Sequence, residues 1–301
     1  DSFNLNEDDT TKTIYVLSND TDVDLNATLN HPVSDSLTVT AVTQPGSGTA
    51  AVSADGLSVT YIPVANWNGP TSFTYTIMDI YGVTSTATVN ITVAAVNDTP
   101  VATGDTATVD EDSHNNTILV LDNDSDIDID SDLNHPVTDS LYVYSVTQPT
   151  VGGTVSISPD KLSVMFTPAS NWNGETSFNY TVRDSGSLSD TETVVVTVQQ
   201  VNDTPVAIDD TANMDEDGSA ITINVLTNDS DVDFSPTLNA VVDETWSITS
   251  VTAANYGTAA IAEGAQAVTY VPPANWNGEA VFTYYVTDKA GASAHAQVKV
   301  T

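Results

Sequence analysis

The chain has 301 residues, of which 41 are acidic and 5 are basic, so its formal net charge is −36. Such a surface repels nucleic acid and anionic lipid and attracts cations, which excludes a nucleic-acid-binding protein. The chain lacks cysteine and has no apolar run of about 18 residues, which excludes disulfides, thiolate zinc sites and inserted transmembrane helices.

The first strong strand signals lie between residues 73 and 93, where apolar residues alternate with polar ones. Alternation with period two and many β-branched or aromatic residues is typical of half-buried strands. Turn signals such as Pro45–Gly46, Asp55–Gly56 and Gly152–Gly153 separate the strands. We predict about seven short strands per 100 residues and no amphipathic helix. The alternating positions are Phe73, Tyr75, Ile77; Val89, Ile91, Val93; Phe178, Tyr180, Val182; Val194, Val196, Val198; and Phe282, Tyr284, Val286.

Three motifs repeat along the chain with a period of 104 or 105 residues. The first, Asn-Asp-(Thr/Ser)-Asp-(Val/Ile)-Asp, lies at Asn19–Asp24, Asn123–Asp128 and Asn228–Asp233. The second, Asn-Trp-Asn-Gly, lies at Asn66–Gly69, Asn171–Gly174 and Asn275–Gly278. The third, Val-Asn-Asp-Thr-Pro, lies at Val96–Pro100 and Val201–Pro205. The chain therefore contains three copies of one unit.

The repeat and the strand pattern predict an all-β chain of three tandem immunoglobulin-like Greek-key β-sandwiches in an extended array. The third motif sets the boundaries, with copy one at 1–98, copy two at 99–203 and copy three at 204–301. Asp1 aligns with Asp105 and Thr301 with Thr197, so both ends fall inside the repeat pattern. We therefore expect a longer array.

Carboxylates are expected to meet where consecutive copies join. Asn123–Asp128 follows the predicted strand 118–121, and in an extended loop its Asp-x-Asp-x-Asp would point alternate side chains to one side. This loop and Asp184, which ends the next predicted strand, should face copy one, whereas Asp110–Asp112 and Asn171–Glu175 should face copy three. Each junction then collects acidic residues from one copy, the linker and the next copy. Hard cations bind six to eight such oxygens, and neighbouring carboxylates repel without a cation. The motifs therefore predict calcium sites, and a solvated acidic surface remains the alternative.

Two known calcium motifs do not match. A helix–loop–helix loop counted from Asp124 needs glycine at position six and glutamate at position twelve, where this chain has Ile129 and His135. The glycine-rich calcium repeat is absent as well.

Several other residues favour structural interpretations. The tryptophan of Asn-Trp-Asn-Gly is interpreted as a packing residue rather than a sugar platform, and Trp246 as core. His31 and His135 are interpreted as loop contacts. Ser, His and Asp residues form no triad spacing, so we predict that the chain is not an enzyme.

The motifs resemble cadherin-like repeats, in particular those of large bacterial RTX and biofilm-associated surface adhesins. Val-Asn-Asp-Thr-Pro is similar to a shortened cadherin linker, Asp-x-Asn-Asp-Asn-x-Pro. Asp110–Asp112 stands where cadherins carry their calcium-binding Pro-Glu-Asn, and Tyr180–Asp184 resembles the strand that ends in a ligand aspartate. The resemblance covers all three copies. It departs at the cadherin Leu-Asp-Arg-Glu position, where Asn-Trp-Asn-Gly is followed by Pro70, Glu175 or Glu279.

The resemblance implies ligands at two complete junctions and two half sites. For the first junction these are Glu7, Asp8, Asn97, Asp98, Asp124, Asp126 and Asp184. For the second they are Glu111, Asp112, Glu175, Asn202, Asp203, Asp229, Asp231 and Asp288. The half sites are Asp20, Asp22 and Asp79 near the start, and Glu216 and Asp217 near the end.

Two functions are consistent with these features. The first is a calcium-rigidified extender of a bacterial cell-surface adhesin, which holds a distal ligand-binding part away from the cell. The alternative is a calcium-dependent module that binds carbohydrate or associates with itself. In either case we expect an extracellular monomer whose partners are neighbouring repeats of the same chain.

Overall fold

The computed structural model describes residues 1–23, 36–129, 139–234 and 245–301. It is an all-β chain of three immunoglobulin-like domains in tandem, as predicted. In the described residues each copy has seven strands. Those of copy one are β1 (Ser2–Asn6), β2 (Lys12–Ile14), β3 (Thr38–Val42), β4 (Thr49–Val52), β5 (Val59–Ile62), β6 (Gly69–Met78) and β7 (Thr84–Ala94).

The same strands recur in the other two copies. Copy two has β8 (Asp105–Asp110), β9 (Asn116–Ile118), β10 (Tyr142–Val146), β11 (Gly153–Ile157), β12 (Val164–Pro168), β13 (Gly174–Arg183) and β14 (Ser189–Gln199). Copy three has β15 (Asp210–Ala212), β16 (Ile221–Ile223), β17 (Ser247–Val251), β18 (Thr258–Ile261), β19 (Val268–Val271), β20 (Ala280–Thr287) and β21 (Ser293–Val300).

Each copy pairs a four-stranded sheet with a three-stranded one. In copy one the strand orders are β1-β7-β6-β3 and β2-β5-β4. The first strand runs parallel to the last, with Phe3 opposite Ile91, and the other pairs are antiparallel. Copies two and three repeat this order. The sandwich therefore places the hairpin between the sixth and seventh strands at one end of each copy.

The alternating residues fill the space between the two sheets. Phe73, Tyr75, Val89, Ile91 and Val93 are all at most 2% exposed, and they form one core with Tyr61 and Val59. The corresponding residues of β20 and β21 form the core of copy three. Phe178, Tyr180 and Val182 are likewise buried in copy two. The predicted inward faces are thus confirmed.

The acidic motif takes a different backbone from the extended loop that we expected. The predicted strand 118–121 ends at Ile118, and a turn follows. Ser125 then forms a single bridge with Val101, and residues Ile127–Ile129 form a 3-10 helix. Side chains two residues apart in this loop therefore need not share one face.

Contacts divide the chain into two compact units. The first comprises Asp1–Thr103, Leu121–Ser145 and Thr181–Glu192, and the second comprises Gly104–Val120, Val146–Tyr180 and Thr193–Thr301. The first linker and its surrounding carboxylates fall in the first unit, and the second linker falls in the second unit. No helix in the described ranges has the length and apolar character needed to cross a membrane.

Candidate metal centres

The first linker is attached to copy one through a buried glutamate. Glu7 follows β1, is 1% exposed, and accepts a hydrogen bond from the Val96 amide at 2.7 Å. Its other oxygen accepts from the Asn68 side chain at 3.5 Å. Asn68 belongs to the Asn-Trp-Asn-Gly motif and is itself buried. The motif therefore supports the glutamate that holds the linker.

The next two linker residues are attached to copy two. The Asn97 side chain donates to Asp184 Oδ2 at 2.8 Å, and the Asp98 amide donates to Asp128 Oδ2 at 2.6 Å. Asp184 is fully buried, and it also accepts a hydrogen bond from the Leu188 amide inside the hairpin between β13 and β14. The linker thus binds both sides of the junction, since Val96 binds copy one and the next two residues bind copy two.

Three aspartates of copy two converge beside this linker. One carboxylate oxygen each of Asp126, Asp128 and Asp139 lies within 4.8 Å of the others. Asp126 is 8% exposed, and its Oδ2 and that of Asp139 are buried without a hydrogen-bond partner among the described residues. Such buried acceptors are costly unless a donor or a cation satisfies them.

The electrostatics of this cluster are those of a site that attracts positive charge. Burial raises the pKa of Asp126, and the nearby Asp139, Asp128 and Asp184 raise it further. Burial would also raise the pKa of Asp139, but hydrogen bonds from Ser185 and Ser140 outweigh it and hold that pKa below its usual value. A hard cation bound here would offset the mutual repulsion of these carboxylates.

The second linker repeats the three hydrogen bonds of the first linker. The Val201 amide donates to the buried Glu111 at 2.8 Å. The Asn202 side chain donates to Asp288 at 3.0 Å, and the Asp203 amide donates to Asp233 at 2.7 Å. Because two independent junctions share this arrangement, it is a property of the repeat.

Carboxylates from both copies surround the second linker. Burial raises the pKa of Asp203, and three further aspartates raise it more: Asp233 and Asp231 of copy three, and Asp112 of copy two. Within the part of the chain that the structure describes, Asp203 Oδ2 is buried and has no hydrogen-bond partner. The donor set is all oxygen, which fits calcium.

Several predicted ligands lie elsewhere. Asp124 accepts from the Thr103 amide at 2.8 Å, and Asp229 accepts from the Ile208 amide at 2.8 Å. Asp229 also accepts from the Tyr284 hydroxyl, as Asp20 does from Tyr75. Asp20 and Asp229 therefore bind the buried tyrosine of the sixth strand. Asp126 and Asp231 instead have carboxylates of the junctions as electrostatic neighbours.

The charge around these tyrosines suppresses their ionisation. Burial and the Asp20 carboxylate raise the pKa of Tyr75 to about 12. The pKa of Tyr284 is also raised, by burial first and then by Asp229 and Asp210. Burial likewise raises the pKa of Asp229.

The remaining predicted residues have mixed roles. Asp8 and Asp112 adopt positive φ and accept the amides of Asn66 and Asn171, as Asp217 accepts that of Asn275, so they hold the Asn-Trp-Asn-Gly loops. Of the remaining positions, Asp79 is buried in its hairpin and Asp22 is half-buried, whereas Glu216 and Glu175 are exposed.

Five residues of the junctions were not among the predicted ligands: Asp128, Asp233, Asp139, Asn68 and Asn173. Asp128 and Asp233 close the first motif, so the repeat itself contained the signal. Asp139 begins an Asp-Ser pair that also occurs at Asp35, 104 residues earlier. Asn68 and Asn173 were assigned to a packing motif.

The structural interpretations of the tryptophans are confirmed for three of them. Trp67 packs against the core of copy one, and Trp246 and Trp276 pack against that of copy three. His31 and His135 lie outside the described residues.

Lowering the pH from 7.5 to 5 is expected to stabilise metal-free copy three. Burial and the nearby Asp229 raise the pKa of Asp210 to about 6 from 3.8. The folded state therefore binds a proton before the unfolded state does, so stability rises as pH falls through 6 and levels off below the unfolded value. After allowance for solvent screening we expect about 1 kcal/mol, or a few degrees in melting temperature. Thermal melts in chelator measure this. Asp210→Asn should reduce the pH dependence without abolishing it, because Asp229 of the same copy also has a raised pKa; an unchanged slope in that variant would contradict the assignment.

Comparisons with known proteins agree with this architecture. A family model described as bacterial Ig domain matches residues 1–92, 97–197 and 202–301. The structure is similar to protocadherin gamma C5 domains EC1–3, with a TM-score of 0.57 at 12% identity over 99% of both chains. It is also similar to the protocadherin gamma B7 extracellular cadherin domains 1–4, with a TM-score of 0.54 at 13% identity over 99% of this chain and 73% of that one. At these identities the similarity shows the fold alone. The comparison with curated proteins gives no match.

Proposed function

The chain belongs to the bacterial Ig domain family, and from this premise we propose that its copies form a calcium-rigidified spacer of an extracellular bacterial adhesin. Each junction would bind calcium and hold neighbouring domains in one orientation. The array would then keep a distal binding part away from the cell surface. The RTX or biofilm-associated adhesins that the motifs resemble are the proposed class of parent protein.

One observation carries this proposal: carboxylates of two copies surround a half-buried linker aspartate whose Oδ2 is itself buried. Asp203 has Asp112 of copy two and Asp231 and Asp233 of copy three as its electrostatic neighbours. A cation that binds this group contacts both copies. It would therefore resist bending at the linker, which a cation held within a single copy would not do.

The proposed ligands follow from the same geometry. At the first junction they are Asp98, Asp126, Asp128 and Asp139, with Asp184 beside them. At the second they are Asp112, Asp203, Asp231 and Asp233. Glu7 and Glu111 already accept hydrogen bonds from the linker and the Asn-Trp-Asn-Gly loop, so we assign them first to holding the linker.

Under this proposal the array is pliable before it is exported from the cell and becomes stiff outside. Extracellular modules typically bind calcium with dissociation constants of about 10⁻⁴ to 10⁻³ M. At cytosolic calcium the junction carboxylates would repel one another and leave the junctions pliable. Outside the cell, calcium would bind and stiffen them.

The alternative function, carbohydrate binding, predicts a row of exposed aromatic side chains. Of the exposed tyrosines, Tyr144 lies under the Arg183 guanidinium at 3.8 Å and Tyr256 stacks on Trp276 at 4.7 Å. These two rings have partners within the chain, whereas Tyr15 and Tyr81 are each 71% exposed. Pull-down on insoluble polysaccharide with and without calcium discriminates between the two functions.

Asp126→Asn is expected to weaken calcium binding at the first junction at least about tenfold and to leave the second unchanged, because it removes one ligand charge from the site. Asp124→Asn is a matched control with the same charge change two residues away, and it should keep the number of calcium sites. Isothermal titration calorimetry with both variants and the wild type measures this. Equal losses in the two variants would restore the original assignment of Asp124, and no heat in the wild type would refute calcium binding.

A further inference from the structure

The tip of the hairpin between the sixth and seventh strands differs in chemistry among the three copies. Each hairpin begins with a buried aspartate whose Oδ1 accepts an amide four residues later at 2.8 Å: Val83, Leu188 and Ala292. Each has a residue with positive φ at the same place: Gly82, Ser187 and Gly291. These contacts align Tyr81, Gly186 and Ala290 as equivalent positions.

In copy two this position is filled by the linker. A Cβ on Gly186 would lie 1.9 Å from Asn97 Oδ1 and 2.2 Å from its Cγ. Gly186 does not have a left-handed φ, so the glycine provides space rather than conformational freedom. Asn97 uses that space while its Nδ2 donates to Asp184.

The other two copies show what a side chain does here. Copy three has Ala290, and the equivalent bond from Asn202 to Asp288 is kept at 3.0 Å rather than 2.8 Å. One carbon is therefore accommodated by a small shift. Copy one has Tyr81, which is 71% exposed and is flanked by the exposed Ile80 and Val83.

We propose that this hairpin position determines which neighbour the end of a copy accepts. Glycine or alanine admits the asparagine of an Asn-Asp linker, whereas the tyrosine of copy one excludes it and presents an apolar tip instead. The inference rests on the linker hydrogen bonds and does not require calcium to bind.

Gly186→Tyr tests the inference in the full chain. Loss of the Asn97–Asp184 bond should release the linker, so the Asp98 amide should exchange with deuterium at least about tenfold faster. Amides of β12 should exchange at the wild-type rate, because copy one shows that tyrosine is compatible with a folded hairpin. Hydrogen–deuterium exchange is measured in calcium and in chelator.

Two control variants distinguish the effect of a large side chain at position 186 from the effect of any substitution in such a hairpin. Gly186→Ala introduces the residue of copy three and should change exchange at Asp98 less than about threefold. Tyr81→Gly should leave both linkers unchanged. Equal exchange in Gly186→Tyr and wild type, or equal acceleration by alanine and tyrosine, overturns the inference. If calcium does not bind, the calcium and chelator data coincide while the contrast between variants persists, so the two proposals fail separately.

Discussion

Removal of calcium with a chelator is expected to lower the melting temperature of the chain by about 10 °C or more. With free calcium about 100-fold above the dissociation constant, each site adds roughly 2.7 kcal/mol to the folded, joined state. One kcal/mol corresponds to about 4–8 °C for a domain of this size. Without calcium, the buried oxygens of Asp126 and Asp203 keep their desolvation cost and their repulsion.

The same removal should broaden the range of shapes seen by small-angle scattering, since the linkers would lose the cation that joins two copies. Differential scanning calorimetry and scattering on one sample give both readouts. Sodium chloride at matched ionic strength is the control, because it screens charge without coordinating it. Superimposable melts and scattering profiles with calcium and chelator would refute the spacer proposal.

Gly257→Ala is expected to destabilise copy three by about 3 kcal/mol, which lowers its melting temperature by about 15 °C. Gly257 has φ of +74°, and an added Cβ would lie 2.3 Å from the Val271 carbonyl oxygen and 2.7 Å from Tyr270 Oη. Tyr270 is fully buried and donates to the Tyr256 carbonyl, so it cannot move aside without losing that bond.

Gly264→Ala is the matched control for this substitution. Gly264 has φ of +84°, but an added Cβ there meets nothing within 4 Å. It should therefore show only the strain of a left-handed alanine, about 1 kcal/mol. Thermal melts followed by circular dichroism compare the two. Equal destabilisation by the two variants would mean that the close approach to Val271 and Tyr270 does not contribute to the loss of stability.

Gly257→Ala should affect the second junction but not the first, because only the second contains residues of copy three. Unfolding of copy three removes Asp231, Asp233 and Asp288 from the second junction, while Asp126, Asp128 and Asp139 remain in copy two. Calcium binding at the first junction should then survive in Gly257→Ala. Stability in such an array is expected to be a sum of copy and junction contributions.

Much of this protein could be predicted because its signals are periodic. The spacing of Asn-Trp-Asn-Gly reveals three copies, and alternation along Phe178, Tyr180 and Val182 reveals the buried face of a strand, since successive side chains on a strand point to opposite sides. The linkers also define the junctions, so the carboxylates near Asp98 and Asp203 were expected there.

The tertiary structure decided which carboxylates actually meet. Asp124 and Asp126 are two residues apart, and an extended loop would direct them to one side. The bridge between Ser125 and Val101 and the 3-10 helix after it give them different neighbours, the Thr103 amide and the Asp128 amide. Asp139, which lies 11 residues after Asp128 and outside the acidic motif, joins the cluster, and Glu175 stays exposed. The sequence by itself determined the repeat, the strands and the location of the junctions, because these depend on local period and composition. Only the tertiary structure decided the members of each site, because the direction of a loop side chain depends on backbone turns and on partners far away in the chain.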